Sequence, residues 1–229
     1  MFSAARGGFD YYSPAGLSLT FVGSYSVTNA SPTNTITGVS ANIGDIIVLI
    51  NNGANFSSSA APPALATPSG FTNVLNLATP TGTYAQRTAM CYQISTTGGS
   101  RTLTGFSGTF GSSFIVFVYR PSSSASSVSF VTLTSQIAQN AAASNQSPTF
   151  PTMTNAMVVF GYGGGGGGGT AAQNLSSTLG YSHQVTAGAT IYAVADSFEG
   201  SGFSGSSTTL SRTISTQSNT LFSAYMTVS

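Results

Sequence analysis

Apolar and polar residues alternate with period two along most of this chain, and no segment sustains a 3.6-residue period. Leu17, Leu19, Phe21, Tyr25 and Val27 alternate with Ser18, Thr20, Ser24, Ser26 and Thr28, the pattern of a long strand with one face buried. Further strands are predicted at Asp45–Ile50, Phe71–Leu77, Ala85–Ser95, Arg101–Phe106, Ser113–Arg120 and Ser127–Thr134. Later ones are predicted at Met153–Gly161, Leu179–Thr186, Ala189–Asp196, Thr208–Ser215 and Thr220–Val228. Clusters of Gly, Pro, Asn and Ser separate them. The one helix-friendly stretch is Ser135–Ala143. A series of short strands with turn signals between them predicts an all-β chain, an antiparallel β-sandwich of jelly-roll-like type.

The order of sequence blocks repeats. Gly44–Leu49, Pro68–Thr72, Thr88–Gln93, Ser100–Thr104 and Ser113–Tyr119 are echoed by Asn155–Phe160, Leu179–Ser182, Ala189–Val194, Thr208–Arg212 and Leu221–Met226. The expected organisation is therefore an arm over residues 1–16, a first β half over 17–135, a linker over 136–148 and a second β half over 149–229. The two halves form either one compact sandwich or two similar subdomains. Two copies are too few for a solenoid.

Composition narrows the function. Of 229 residues, 4% are charged, against roughly 25% in ordinary soluble domains. The chain has no Lys, so it carries neither a Walker A lysine nor a Schiff-base lysine. One His, one Cys and four carboxylates are a poor supply for a structural zinc site. A net charge of +1 from scattered Arg leaves no electrostatic footprint for nucleic acid. The 41% hydrophobic content, with 15 Phe and 10 Tyr, is enough for a core and argues against disorder. The longest aliphatic run, Ile46–Ile50, is far short of a spanning helix. With no Trp for girdles and strands apolar on both faces, a membrane barrel is not expected either. Residues 1–10 lack an apolar h-region, so no secretory leader is expected. Cys91 has no cysteine partner and is expected to be a buried, inert thiol.

The candidate residues belong to contact surfaces. In the arm, Phe2, Arg6, Phe9, Tyr11 and Tyr12 sit among glycines; aromatic side chains on so short a segment need a surface to dock on. That surface is either the chain's own sandwich or another subunit, and the second is preferred. Two long uncharged stretches, Asn51–Ser69 and Gly161–Thr178, occupy matching places in the halves and are expected as loops carrying recognition. Their candidates are Asn51, Asn52, Asn55, Tyr162, Gly163, Gly166 and Gly169, with Tyr181 beyond. The run Gly163–Gly169 contains G-x-G-x-x-G trivially, and no helix pattern follows it, so it is no nucleotide fingerprint. It reads as a flexible strand connection or as a contact loop.

Reactive constellations are thin. His183 is the single histidine, with Asp196 on a neighbouring strand, but no G-x-S-x-G elbow supplies a nucleophile. Asp196 and Glu199 are the one closely spaced carboxylate pair, and turn or solvation roles suffice for them. Asp45 after Gly44 reads as a turn cap before a buried strand. Arg87, Arg101, Arg120 and Arg212 lie in or beside strands, as edge charges against unwanted pairing or as interface anchors. No catalytic residue, cofactor or metal is expected.

With its Met1 arm, its Ser, Thr and Gly content, and repeated blocks such as Gly44–Leu49 and Phe114–Arg120, the chain resembles a tailed-bacteriophage virion protein. Gly163–Gly169 is similar to the glycine-rich tips of some phage adhesins. The resemblance implies a non-enzymatic accessory component of the virion, made in the host cytoplasm: a capsid decoration protein held by its arm, or a fibre or tail-tip adhesin. The implied partners are other virion proteins and further copies in an oligomer or array, with a host surface glycan in the adhesin case. A carbohydrate-binding module is the alternative class. It would use Tyr162, Tyr181, Asn51, Asn52 and Asn55 as aromatic platforms and amides.

Overall fold

The computed structural model describes the backbone of residues 11–12, 18–30, 35–54, 66–78, 86–105, 112–125, 127–132, 137–139, 144–146, 158–166, 174–177, 183–187, 194–200, 210–213 and 218–228. Side chains are described for 19–27, 35–51, 66–78, 87–105, 115–125, 127–132, 224 and 226–228. Every regular element among them is a strand. The first eight are β1 (Tyr11–Tyr12), β2 (Ser18–Ala30), β3 (Thr35–Ala41), β4 (Ile46–Ala54), β5 (Thr72–Ala78), β6 (Gln86–Ile94), β7 (Gly99–Thr104) and β8 (Ser112–Pro121). They are followed by β9 (Val128–Thr132), β10 (Ile137–Gln139), β11 (Ser144–Gln146), β12 (Val158–Gly166) and β13 (Asn174–Ser177). The last four are β14 (His183–Ala187), β15 (Val194–Gly200), β16 (Leu210–Thr213) and β17 (Ser218–Val228).

All pairings are antiparallel. One sheet has the order β1-β2-β8-β4-β6-β5, and β3 pairs β7 apart from it. Another sheet has the order β10-β17-β12-β15-β14, with β9 also on β17, and β11-β16-β13 form a third group. The central strands explain why the aliphatic runs do not alternate. Ile46, Val48 and Ile50 of β4 join Ile115, Phe117 and Tyr119 of β8 and Met90 of β6 in one core. Ala224, Met226 and Val228 of β17 close that core from the other side, with Val128 and Phe130 of β9 against it. The intervening residues Ile47, Leu49, Ala89, Cys91, Val116 and Val118 face a second core, covered by Ile36, Val39 and Ala41 of β3 and Leu103 of β7. The six-stranded sheet is thus covered on both faces, and a strand buried on both faces reads as an unbroken apolar run. At about 1.5–3 kcal/mol for each large aliphatic side chain buried, these two cores stabilise a chain that has no disulfide.

One expectation is corrected. Ser135–Ala143 is not helical where it is described: Ile137–Gln139 is β10, paired with β17. Within the span 136–148, Ser144–Gln146 also pairs, with β16. Within Ser127–Thr134, β9 pairs with β17. Along β2 the alternation does not stay on one face. Leu19 and Phe21 belong to the first core, and Tyr25 and Val27 to the second. The register on β8 shifts between Phe21 and Gly23, so the extra residue, Val22, moves everything after it to the other face.

Candidate functional site

The best-defined polar cluster lies where the β3–β4 turn meets the end of β8 and the turn after β6. Gly44 sits at φ +88°, left-handed backbone that suits glycine. Its N–H donates to Ser95 O at 2.8 Å, Ser95 N–H donates to Asp45 O at 2.7 Å, and Asp45 N–H donates to Asn42 O at 3.1 Å. The Asp45 carboxylate is buried and accepts hydrogen bonds at both oxygens. Its Oδ2 accepts Asn42 N–H at 2.6 Å, and Arg120 donates from Nε to Oδ1 and from Nη2 to Oδ2, both at 2.9 Å. This is a two-pronged pair between residues 75 apart in sequence. The hydrogen bond to Asp45 raises the Arg120 guanidinium above its ordinary pKa, against a smaller opposing effect of burial. Arg101 completes the cluster, donating from Nη2 to Ser95 Oγ at 2.8 Å and from Nη1 to Thr97 Oγ1 at 3.1 Å. Burial pulls the Arg101 pKa down, and the nearby Asp45 charge partly restores it.

Chemically this corner is a clamp. The three hydrogen bonds on Asp45 hold a turn against a strand end. Beside the clamp is a recess of about 200 Å³ lined by Asn42, Ile43, Gly44, Asp45, Arg120, Pro121, Ser123 and Ser124. Ile43, at the tip of the clamped turn, is 74% exposed, the most exposed large apolar side chain among the described residues. The corner therefore presents one apolar tip on a rigid base. The turn-cap role expected for Asp45 is seen; its pairing with Arg120 went unpredicted, because nothing in sequence links positions so far apart. Arg87 likewise bonds within the chain, donating to Asn76 Oδ1 at 2.8 Å, and burial lowers its pKa.

The recognition residues that are described stand in strands. β4 continues to Ala54, so Asn51 and Asn52 are strand residues and not part of a loop. Asn51 is fully buried, in register with Ala89 on one side and Phe114 on the other. Tyr162, Gly163 and Gly166 also belong to a strand: β12 runs through the first glycines, with β15 and β17 on either side. Ladder hydrogen bonding extended the strands past the last aliphatic residue in both places, and glycine in a strand removes side chains without removing donors or acceptors. Asn55, Gly169 and Tyr181 lie outside the described residues. In the arm, Tyr11 and Tyr12 form β1 and pair with Leu19 and Ser18, so this end of the arm docks on its own sheet. Phe2, Arg6 and Phe9 lie outside the described residues.

The remaining groups are also placed. His183 is in register with Glu199, while Asp196 is in register with Thr186. Asp196 and Glu199 stand at positions of opposite parity in β15, and a strand alternates faces at every residue. Cys91 is fully buried and burial pushes its thiol pKa far up, as expected of an inert thiol. No helix among the described residues is long and apolar enough to cross a membrane. The chain matches no protein-family model, no curated protein and no solved structure.

Proposed function

We propose that this chain is a non-enzymatic accessory protein of a tailed-bacteriophage particle. It sits on the outer surface as a jelly-roll-like β-sandwich, is held by its N-terminal arm, and works through contacts with other virion proteins and with further copies of itself. The observation that carries this reading is how the charged side chains among the described residues are used. Asp45, Arg101 and Arg120 are tied into one structural clamp, and the side chain this clamp presents outward is apolar Ile43. A corner that ties these ionic groups to one another and to its own turns and offers an apolar tip is suited to contact work. Near-zero net charge favours association, which a component of a repeating array tolerates. Jelly rolls occur in viral capsid and lectin domains, so the fold is compatible with the reading by analogy. Of the residues on which the adhesin and glycan-binding alternatives rest, Asn51, Asn52, Tyr162, Gly163 and Gly166 are in strands, and Asn55, Gly169 and Tyr181 lie outside the described residues.

The test is deletion of residues 1–10, which leaves β1 in place. The truncated protein is expected to fold and to be absent from purified particles. Particles that still incorporate it in normal amount would refute anchoring by the arm. A second variant, Ile43→Asp, is expected to weaken particle binding or self-association without loss of stability, because the side chain is already in solvent.

A further inference from the structure

The two parts of the chain share one pairing diagram. In the first, β2 pairs β8, β8 pairs β4, β4 pairs β6, β6 pairs β5, and β3 pairs β7. Replacing β3, β4, β5, β6, β7 and β8 by β11, β12, β14, β15, β16 and β17 reproduces these pairings in the second part, with β9 and β10 together in the place of β2; β1 and β13 have no counterpart. The registers agree too. Ile50 pairs with Met90 and Ile115, and Phe160 pairs with Glu199 and Ala224. The same number of residues separates Met90 from Ile115 as separates Glu199 from Ala224. Two steps on, Asn52 pairs with Thr88 and Ser113, and Tyr162 pairs with Ser197 and Phe222. Pairing partners, strand order and this one spacing thus agree between the two parts.

The contacts between the two parts add a second regularity: apart from that of β14 with β8, whose counterpart would be β5 with β17, they come in exchanged pairs. β17 touches β6, and β15 touches β8. β12 touches β6, and β15 touches β4. β14 touches β2, and β9 touches β5; β12 touches its own counterpart, β4. Exchange of this kind, where i meets j′ and j meets i′, is the signature of an isologous twofold interface.

We propose that the chain is a fused pseudo-dimer: two copies of one seven-stranded unit, packed about a pseudo-twofold axis that passes between β4 and β12. The apolar face of Leu19, Val48, Ile50, Ile115 and Phe117 is then a docking surface whose partner is a second unit of the same architecture, supplied by the same chain. The sequence repeat is faint because only register and burial need to be kept, and both are met by any side chains of suitable size.

An experimentally determined structure of the full chain tests this. Superposing β4, β6 and β8 on β12, β15 and β17, with Ile50 placed on Phe160, is expected to require a rotation within about 15° of the 180° that defines a twofold. A rotation far from a half turn would overturn the proposal. Hydrogen exchange on the full-length protein in solution gives a second readout. Amides of β12 are expected to be protected as strongly as those of β4, with the edge strands β14 and β5 exchanging faster by about the same factor. Protection confined to β4, β6 and β8 would overturn it.

Discussion

Asp45 shows how one buried charge organises a corner. Its side chain is 1% exposed and that of Arg120 is 44% exposed, so the pair is half in water and worth less than a fully buried one. Removing the exposed partner still strands a buried carboxylate. Arg120→Ala is expected to destabilise the protein by about 2–3 kcal/mol in chemical denaturation, and Asp45→Asn, which keeps an acceptor for Asn42 N–H, by less. Cys91 provides a second residue-level outcome. Because burial raises its pKa above the ordinary 9.0, the fold favours the protonated thiol. That contribution is constant below the ordinary thiol range and declines as pH rises past it. The native protein at pH 8 is expected not to react with a thiol reagent, and to react fully once unfolded in denaturant. Rapid labelling of the native state would show the core around Ala89 and Val116 to be open.

Among the elements, the turns and bulges carry the sharpest expectations. Gly70 has φ +81°, and a Cβ there would meet Gln93 Nε2 at 2.9 Å; Gly44 has a similar φ but open space around it. Gly44→Ala is expected to cost about 1 kcal/mol from backbone strain alone, and Gly70→Ala somewhat more unless Gln93 swings aside. A thermal-melt comparison of the two variants separates strain from crowding. Tyr92 Oη–H donates to Val128 O at 3.1 Å and its ring lies 4.9 Å from that of Phe130, so β6 holds β9 by both ends of one side chain. Tyr92→Phe keeps the ring contact and is expected to lose about 1 kcal/mol. The unbroken apolar runs around Val116 and Leu49 were legible in sequence as strands to within a few residues. β3 was missed: its burial pattern is broken by a register shift between Ile36 and Val39, with Gly38 at positive φ in between. The short strands β10, β11 and β13 carry too few residues for any period to register.

For the whole molecule, the central prediction is that β4 tolerates charge on neither face. Val48→Asp and Leu49→Asp point into different cores, and both are expected to abolish folding, judged by loss of soluble, β-rich protein. A strand exposed on one side would accept one of the two. That outcome would remove one of the two layers that cover the six-stranded sheet. The clamp at Asp45 belongs to this scale as well. It was invisible in sequence because its members come from the β3–β4 turn, the end of β8 and the β6–β7 turn, which only pairing brings together.

Local chemistry in the chain determined that it is built mainly of strands separated by turns, because alternation and turn residues act over a few positions at a time; pairing with β17 decided against helix at Ile137–Gln139. Local chemistry also determined that the thiol would be inert and that Asp45 would cap a turn. Tertiary structure alone decided which face each strand presents, that the first glycines of the long run lie inside a sheet, and that Asn51 is core. Those outcomes depend on a one-residue bulge, on ladder hydrogen bonds that any residue but proline can make, and on a second apolar layer arriving from more than a hundred residues away.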